Sequence, residues 1–169
     1  MIRIAKLINH LEAEMEDITQ KWMRDIKQIN TTDIQNVLQE VITDTPTDSH
    51  VVITYLRSSA ITECHQFKLA VYQEEPFIDV PIYHTMLNMD SLYTEVPNYA
   101  QTLFKQLSPP YFQILSYEKE EIKRNFTVRL YQQSYHILKQ AIKEMAIANK
   151  QRRVYFGEEM GELITIGEI

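Results

Sequence analysis

The chain has 169 residues, 44% of them hydrophobic, and a net charge of −6, which predicts a single domain over residues 1–169 that folds without a disulfide or a metal. Its one cysteine, Cys64, excludes an intrachain disulfide and is typical of a reducing compartment. Because no apolar run is long enough to span a membrane and the N-terminus has no secretory pattern, we expect a cytoplasmic protein without a membrane partner. Abundant Ile, Gln, Lys, Asn and Tyr suggest an AT-rich bacterial genome.

Residues 1–45 contain neither glycine nor proline and predict two helices. In the first, apolar residues recur at steps of three or four and form one stripe, as in an amphipathic helix. This stripe consists of Ile4, Ile8, Leu11, Met15, Ile18, Trp22, Ile26 and Ile29. A second stripe over residues 34–42 predicts a shorter helix. We therefore expect an antiparallel helical pair at the N-terminus.

Residues 46–110 hold all six prolines, and their pattern predicts a β-rich middle. Residues 51–56 form a β-branched and aromatic run of strand length, and residues 67–72 alternate as a half-buried strand does. Residues 78–84 alternate as well, but Pro81 lacks an N–H and cannot donate within a sheet. A strand in that segment therefore belongs at the edge. Residues 98–107 predict a short helix.

Residues 111–153 predict one long helix, and residues 154–169 predict a terminal β-hairpin. Residues 126–130 also fit a strand, so the structure of residues 111–131 stays open at this point. The expected fold class is α+β, with an N-terminal helical pair, a small antiparallel sheet, a long basic helix and a C-terminal hairpin.

Charge is segregated along the chain. Residues 119–153 contain nine basic and three acidic residues, a net +6, so the rest carries −12. Such a helix can pair with the acidic first helix, remain solvated, or bind nucleic acid. The candidate phosphate-binding residues are Lys123, Arg124, Arg129, Arg152 and Arg153. The acidity of the rest of the chain disfavours nucleic acid as a partner.

The sequence carries no recognisable catalytic or metal-binding motif. Glycine, which phosphate-binding loops and strained nucleophile turns require, is absent from the first 156 residues. The five histidines lack the spacing of paired metal ligands on a helix, so we expect neither a metal nor a cofactor. Aromatic and titratable residues of the middle segment could still line a ligand pocket. The candidates are Tyr72, Tyr83, His84, His65 and Asp79, with the segment from Tyr111 to Tyr117.

Three functions are compatible with these features. The first is a non-enzymatic cytoplasmic protein that acts by association with another protein, as a regulator or adaptor and as a homodimer. The second is a small-molecule-binding or hydrolytic domain that uses the Tyr/His pocket. The third is a nucleic-acid-binding regulator that uses the basic helix. The missing catalytic motifs favour the first, and the protein is more consistent with a non-enzyme than with an enzyme.

Overall fold

The computed structural model describes residues 2–107, 113–145 and 151–169, and it confirms the α+β class. Helices cover one face of a five-stranded sheet. In chain order the elements are α1 (Ile2–Ile26), α2 (Thr32–Asp44), β1 (His50–Tyr55), α3 (Ser59–Thr62), β2 (Gln66–Tyr72), β3 (Tyr83–Asn88), a 3₁₀ turn (Asp90–Leu92), α4 (Val96–Leu107), α5 (Ser116–Gln133), α6 (Tyr135–Glu144), β4 (Arg153–Glu158) and β5 (Leu163–Glu168).

The two predicted N-terminal helices are confirmed, and each buries the central part of its apolar stripe. The α1 helix packs against α4 and α5, whereas α2 packs against α6 and β3. Trp22 on α1 is buried, and its indole Nε1 donates a hydrogen bond to the Leu92 carbonyl over 2.8 Å. This bond ties the first helix to the 3₁₀ turn after β3. The helices therefore form one layer, in which each N-terminal helix packs against elements that are distant in sequence.

The sheet has the strand order β3-β2-β1-β4-β5. The β3–β2, β2–β1 and β4–β5 neighbours are antiparallel, while β1 and β4 are parallel. The predicted hairpin of residues 154–169 is present as β4 and β5, but the expected antiparallel sheet is a mixed one. The reason is that β4 follows the helical layer, which carries the chain back across the sheet in the direction of β1.

The two faces of the sheet differ. Side chains of Ile53 and Leu69 point into the main core, which the helices complete. The opposite face holds a small cluster around Val52 and Tyr72, against which Phe77, Tyr155 and Leu163 pack among the described residues. Within this sheet, a β-carbon at Gly157 would lie 2.2 Å from the carbonyl oxygen of Glu162, so glycine is required there.

The predicted long basic helix is two helices, because it breaks at Ser134. The Ser134 hydroxyl donates to the Leu130 carbonyl over 3.1 Å, a bond within the helix that bends it. The same oxygen accepts a hydrogen bond from the buried hydroxyl of Tyr93. Residues 111–112 and 146–150 of the predicted helix lie outside the described residues. Residues 116–131 are helical rather than extended, whereas residues 113–115 and 151–152 are not helical and Arg153 begins β4.

Arg152 joins the end of α2 to the start of β4. The residue is 3% exposed, and its guanidinium donates to the carbonyls of Ile42 and Pro46, each over 3.0 Å, and to that of Thr45. Carbonyls at a helix C-terminus lack intrahelical donors, and a cation satisfies them well. Arg152 thus holds the second helix against the sheet.

We expect Arg152→Met to lower the free energy of unfolding by about 2–4 kcal/mol, because three backbone carbonyls, among them the buried one of Thr45, lose their charged donor. Urea denaturation followed by circular dichroism measures this change. The neighbouring Arg153→Met is the matched control, since Arg153 is exposed, and its effect should stay within about 0.5 kcal/mol. Equal effects of the two substitutions would contradict the role given to Arg152.

Candidate functional site

The β3 strand lies at one edge of the sheet, as Pro81 predicts. Its inner side pairs with β2 from Tyr83 opposite Val71 to Asn88 opposite Gln66. No other strand in the described parts of the chain pairs with its outer side. Alternate residues of such a strand turn their N–H and C=O groups toward solvent, where they can accept another strand.

Large apolar side chains are exposed along this edge and in the loop that leads to it. We call the set Ile78, Val80, Ile82 and Met86 the apolar edge; these residues are 77%, 85%, 48% and 46% exposed. The alternation at 78–82 predicts a half-buried strand, but the regular strand begins only at Tyr83. Neighbouring exposed apolar side chains of this size mark interaction surfaces in soluble proteins.

The loop that presents Ile78 and Val80 is held in a defined conformation. The ring of Phe77 packs edge-on against Tyr72 with a centroid distance of 6.2 Å, and Phe77 has a left-handed φ of 68°. The Asp79 carboxylate accepts a hydrogen bond from the Glu75 N–H over 3.0 Å. A non-glycine residue at positive φ needs such support from its surroundings. Phe77 therefore anchors the loop on the sheet, and the two aliphatic side chains project into solvent.

The apolar edge is also nearly free of charge. Between residues 78 and 88, Asp79 is the one residue that is Asp, Glu, Lys or Arg. Its carboxylate accepts a hydrogen bond within the loop. Natural sheets commonly protect an open edge with charged side chains, above all lysine. This strand lacks that protection.

A second feature is a cleft between α3, the 3₁₀ turn and α5, which we call the His65 cleft. It has a volume of about 210 Å³ and is lined by Ala60, Glu63, His65, Asp90, Tyr93, Thr94, Val96, Pro97, Lys123 and Thr127. His65 is 8% exposed, and its ring lies against that of Tyr93 at a centroid distance of 4.6 Å with a tilt of 32°. Its Nδ1 lies 2.7 Å from the hydroxyl of Tyr131, and its backbone N–H donates to Asp90 over 2.9 Å.

The predicted basic residues do not form one surface. Lys123 pairs with Glu63, Arg124 with Glu121, and Arg129 with Glu12 of the first helix. The pair of Arg129 with Glu12 joins the basic helix to the acidic first helix, as the segregated charge predicts. Arg124 and Arg129 line a groove between α1 and α5.

The two remaining arginines lie elsewhere. Arg153 is exposed on β4, whereas Arg152 is buried and donates to backbone carbonyls, which leaves it no free surface for phosphate. No observation on the described residues therefore favours nucleic acid.

The predicted pocket residues fall into two places. Tyr72, Tyr83, His84 and Asp79 lie where β2 ends and β3 begins: Tyr72 is buried, Tyr83 half-buried, and His84 and Asp79 exposed. His65 lies immediately before β2, whereas His84 lies opposite Ala70 of that strand. The five residue steps from His65 to Ala70 correspond to roughly 17 Å along the strand. The structure therefore does not bring His65 together with His84 and Asp79. Tyr111 lies outside the described residues.

Several functional candidates were missed by sequence reasoning. The alternation of residues 78–84, together with Pro81, indicated an edge strand. That pattern did not show that the side chains of Ile78 and Val80 are exposed. Asp90, Tyr93 and Lys123 join His65 only through folding, and no spacing signal could have found that set.

Neither a metal site among the described residues nor a relative identifies the function of these features. Within residues 2–107, 113–145 and 151–169, no three His, Cys, Asp or Glu side chains come together as metal ligands. Nor does any helix of that part combine the length and the apolar character that crossing a membrane requires. Comparison with protein-family models, curated proteins and solved structures gives no match. The function is therefore inferred from the residues themselves.

We expect Asp79→Ala to loosen the loop before β3, because the Glu75 amide loses its acceptor. Hydrogen exchange at that amide should accelerate roughly fivefold, the equivalent of about 1 kcal/mol. NMR detection of amide exchange measures it, with the exposed Glu74→Ala as the control. Unchanged exchange at Glu75 in the Asp79 variant would show that the carboxylate does not hold the loop.

The pH dependence of stability tests the environment of His65. Burial lowers the pKa of His65, an effect that the nearby carboxylates of Asp90 and Glu63 partly oppose. The unfolded chain then takes up a proton before the folded one as the pH falls below about 6.5. The stability that His65 contributes is thus complete above that pH and decreases below it.

Accordingly, the difference in unfolding free energy between the wild type and His65→Gln should be larger at about pH 7.5 than at about pH 5. Urea denaturation at both pH values measures it. The same comparison with His10→Gln, on the first helix and away from β3, gives the response of an exposed histidine. A difference for His65→Gln that stays constant with pH would rule out a buried neutral imidazole.

Proposed function

We propose that the protein acts by association and that its apolar edge pairs with the same edge of a second copy. The observation that carries this proposal is the exposure of Ile78 and Val80, at 77% and 85%, in a loop fixed beside an unpaired strand. Leaving such side chains in water forgoes about 1.5–3 kcal/mol for each one that could be buried. Contact with another protein surface recovers that free energy.

Backbone geometry supports strand pairing as the mode of contact. The outer N–H and C=O groups of β3 can form an antiparallel ladder with a second strand. Antiparallel pairing of β3 with its own copy has twofold symmetry, which is the commonest symmetry of soluble homo-oligomers. The two five-stranded sheets would then form one sheet across the dimer.

Charge supports a second copy as the occupant. The chain carries a net −6, so most of its surface repels an identical molecule. The β3 strand has no acidic or basic residue other than His84, and Asp79 in the preceding loop is engaged with the Glu75 amide. The apolar edge is therefore a place where two copies can approach without like-charge repulsion.

Sedimentation equilibrium or light scattering of the purified chain at micromolar concentration tests the proposal. We expect a dimer of twice the 20.0 kDa chain mass. Met86→Lys and Val80→Lys should each weaken dimerisation at least tenfold, which is about 1.4 kcal/mol, because each puts a lysine charge into an apolar contact that excludes water.

The matched control is Met160→Lys, the same substitution at a methionine that is 74% exposed in the turn between β4 and β5. It should leave the dimer unchanged. A wild-type chain that stays monomeric at these concentrations would contradict the proposal. So would an equal loss of dimer in the Met86 and Met160 variants, because the interface would then lie elsewhere.

A further inference from the structure

The hydrogen bond between Tyr131 and His65 determines which imidazole nitrogen carries the proton. Tyr131 is fully buried, and burial raises the pKa of its hydroxyl, so the phenol keeps its proton. Among the described residues, that hydroxyl has one hydrogen-bond partner, Nδ1 of His65 at 2.7 Å. A buried hydroxyl hydrogen without an acceptor is costly, so Tyr131 donates to Nδ1. The neutral ring then carries its own hydrogen on Nε2.

The Nε2–H group is available to a ligand. Among the described residues, this group has no hydrogen-bond partner. The Nε2 atom is not fully buried, so the N–H is accessible from the cleft that His65 lines. Because Tyr93 packs against the ring and Tyr131 bonds to Nδ1, the direction of this donor is fixed. A fixed neutral donor suits an acceptor such as a carboxylate oxygen.

The other charges of the His65 cleft are of both signs. Lys123 supplies an ammonium group, of which Glu63 uses one donor. Glu63 and Asp90 supply carboxylates, so the lining carries a net −1. The volume of about 210 Å³ equals roughly seven water molecules, which suits a ligand on the order of ten non-hydrogen atoms.

We propose that the His65 cleft binds a small zwitterion of the free amino acid class. Its carboxylate accepts from Nε2 of His65 and from the ammonium of Lys123, and its own ammonium donates to Asp90 and Glu63. A simple anion would meet two carboxylates in this cleft, and a simple cation would leave the His65 donor unused. A molecule that carries both charges satisfies both sides.

The test uses the full chain and the standard α-amino acids, added one at a time up to millimolar concentration. Two-dimensional NMR of the histidine side-chain nitrogens follows His65. We expect the free protein to show Nε2 protonated, and at least one amino acid to shift the His65 signals in a saturable manner. Its decarboxylated amine and its N-acetyl derivative should each bind at least tenfold more weakly, since each lacks one of the two charges.

Two substitutions at the rim of the cleft should preserve the fold and weaken binding about tenfold each, namely Lys123→Gln and Asp90→Asn. Lys139→Gln, at an exposed site on α6, is the matched control. Three results would overturn the proposal: no amino acid shifts the His65 signals, the amine or N-acetyl form binds as tightly, or the rim variants bind as the wild type does.

Discussion

An open sheet of five strands must end in two unpaired edges, and this constraint governs the rest of the molecule. The helices bury one face of the sheet, but no strand in the described part of the chain pairs with the outer edge of β3. Phe77 and Asp79 fix the preceding loop so that its aliphatic side chains face solvent beside that strand. A sheet edge without lysine and with exposed Ile78 and Val80 is costly in an isolated chain. The self-association proposed above would remove that cost.

The aromatic centre of the core explains how the helical layer holds the His65 cleft in place. Tyr93 contacts His65 on one side and Trp22 on the other, and its hydroxyl bonds Ser134 where the basic helix breaks. Tyr131, three residues earlier on that helix, holds His65. The break at Ser134 and the position of His65 thus depend on the same group of rings.

Local patterns in the sequence were sufficient for most of the elements. The apolar stripes located α1 and α2, and Pro81 correctly placed residues 78–84 at an edge. The break at Ser134 was not predictable, because a helical serine bends the helix only where its hydroxyl bonds to the preceding turn, and the second partner of this hydroxyl, Tyr93, is distant in sequence. The buried role of Arg152 was equally hidden, since its partners are carbonyls more than a hundred residues earlier. Charge content alone cannot distinguish an arginine that caps a helix from one that faces solvent.

The most direct test of the account is NMR on a dimer of isotope-labelled and unlabelled chains, which detects contacts between copies only. Pairing through the apolar edge predicts intermolecular contacts between the Cα protons of the two β3 strands, together with contacts from the side chains of Ile78 and Val80. Intermolecular contacts located on another surface, or none at concentrations where the chain is fully dimeric, would contradict it.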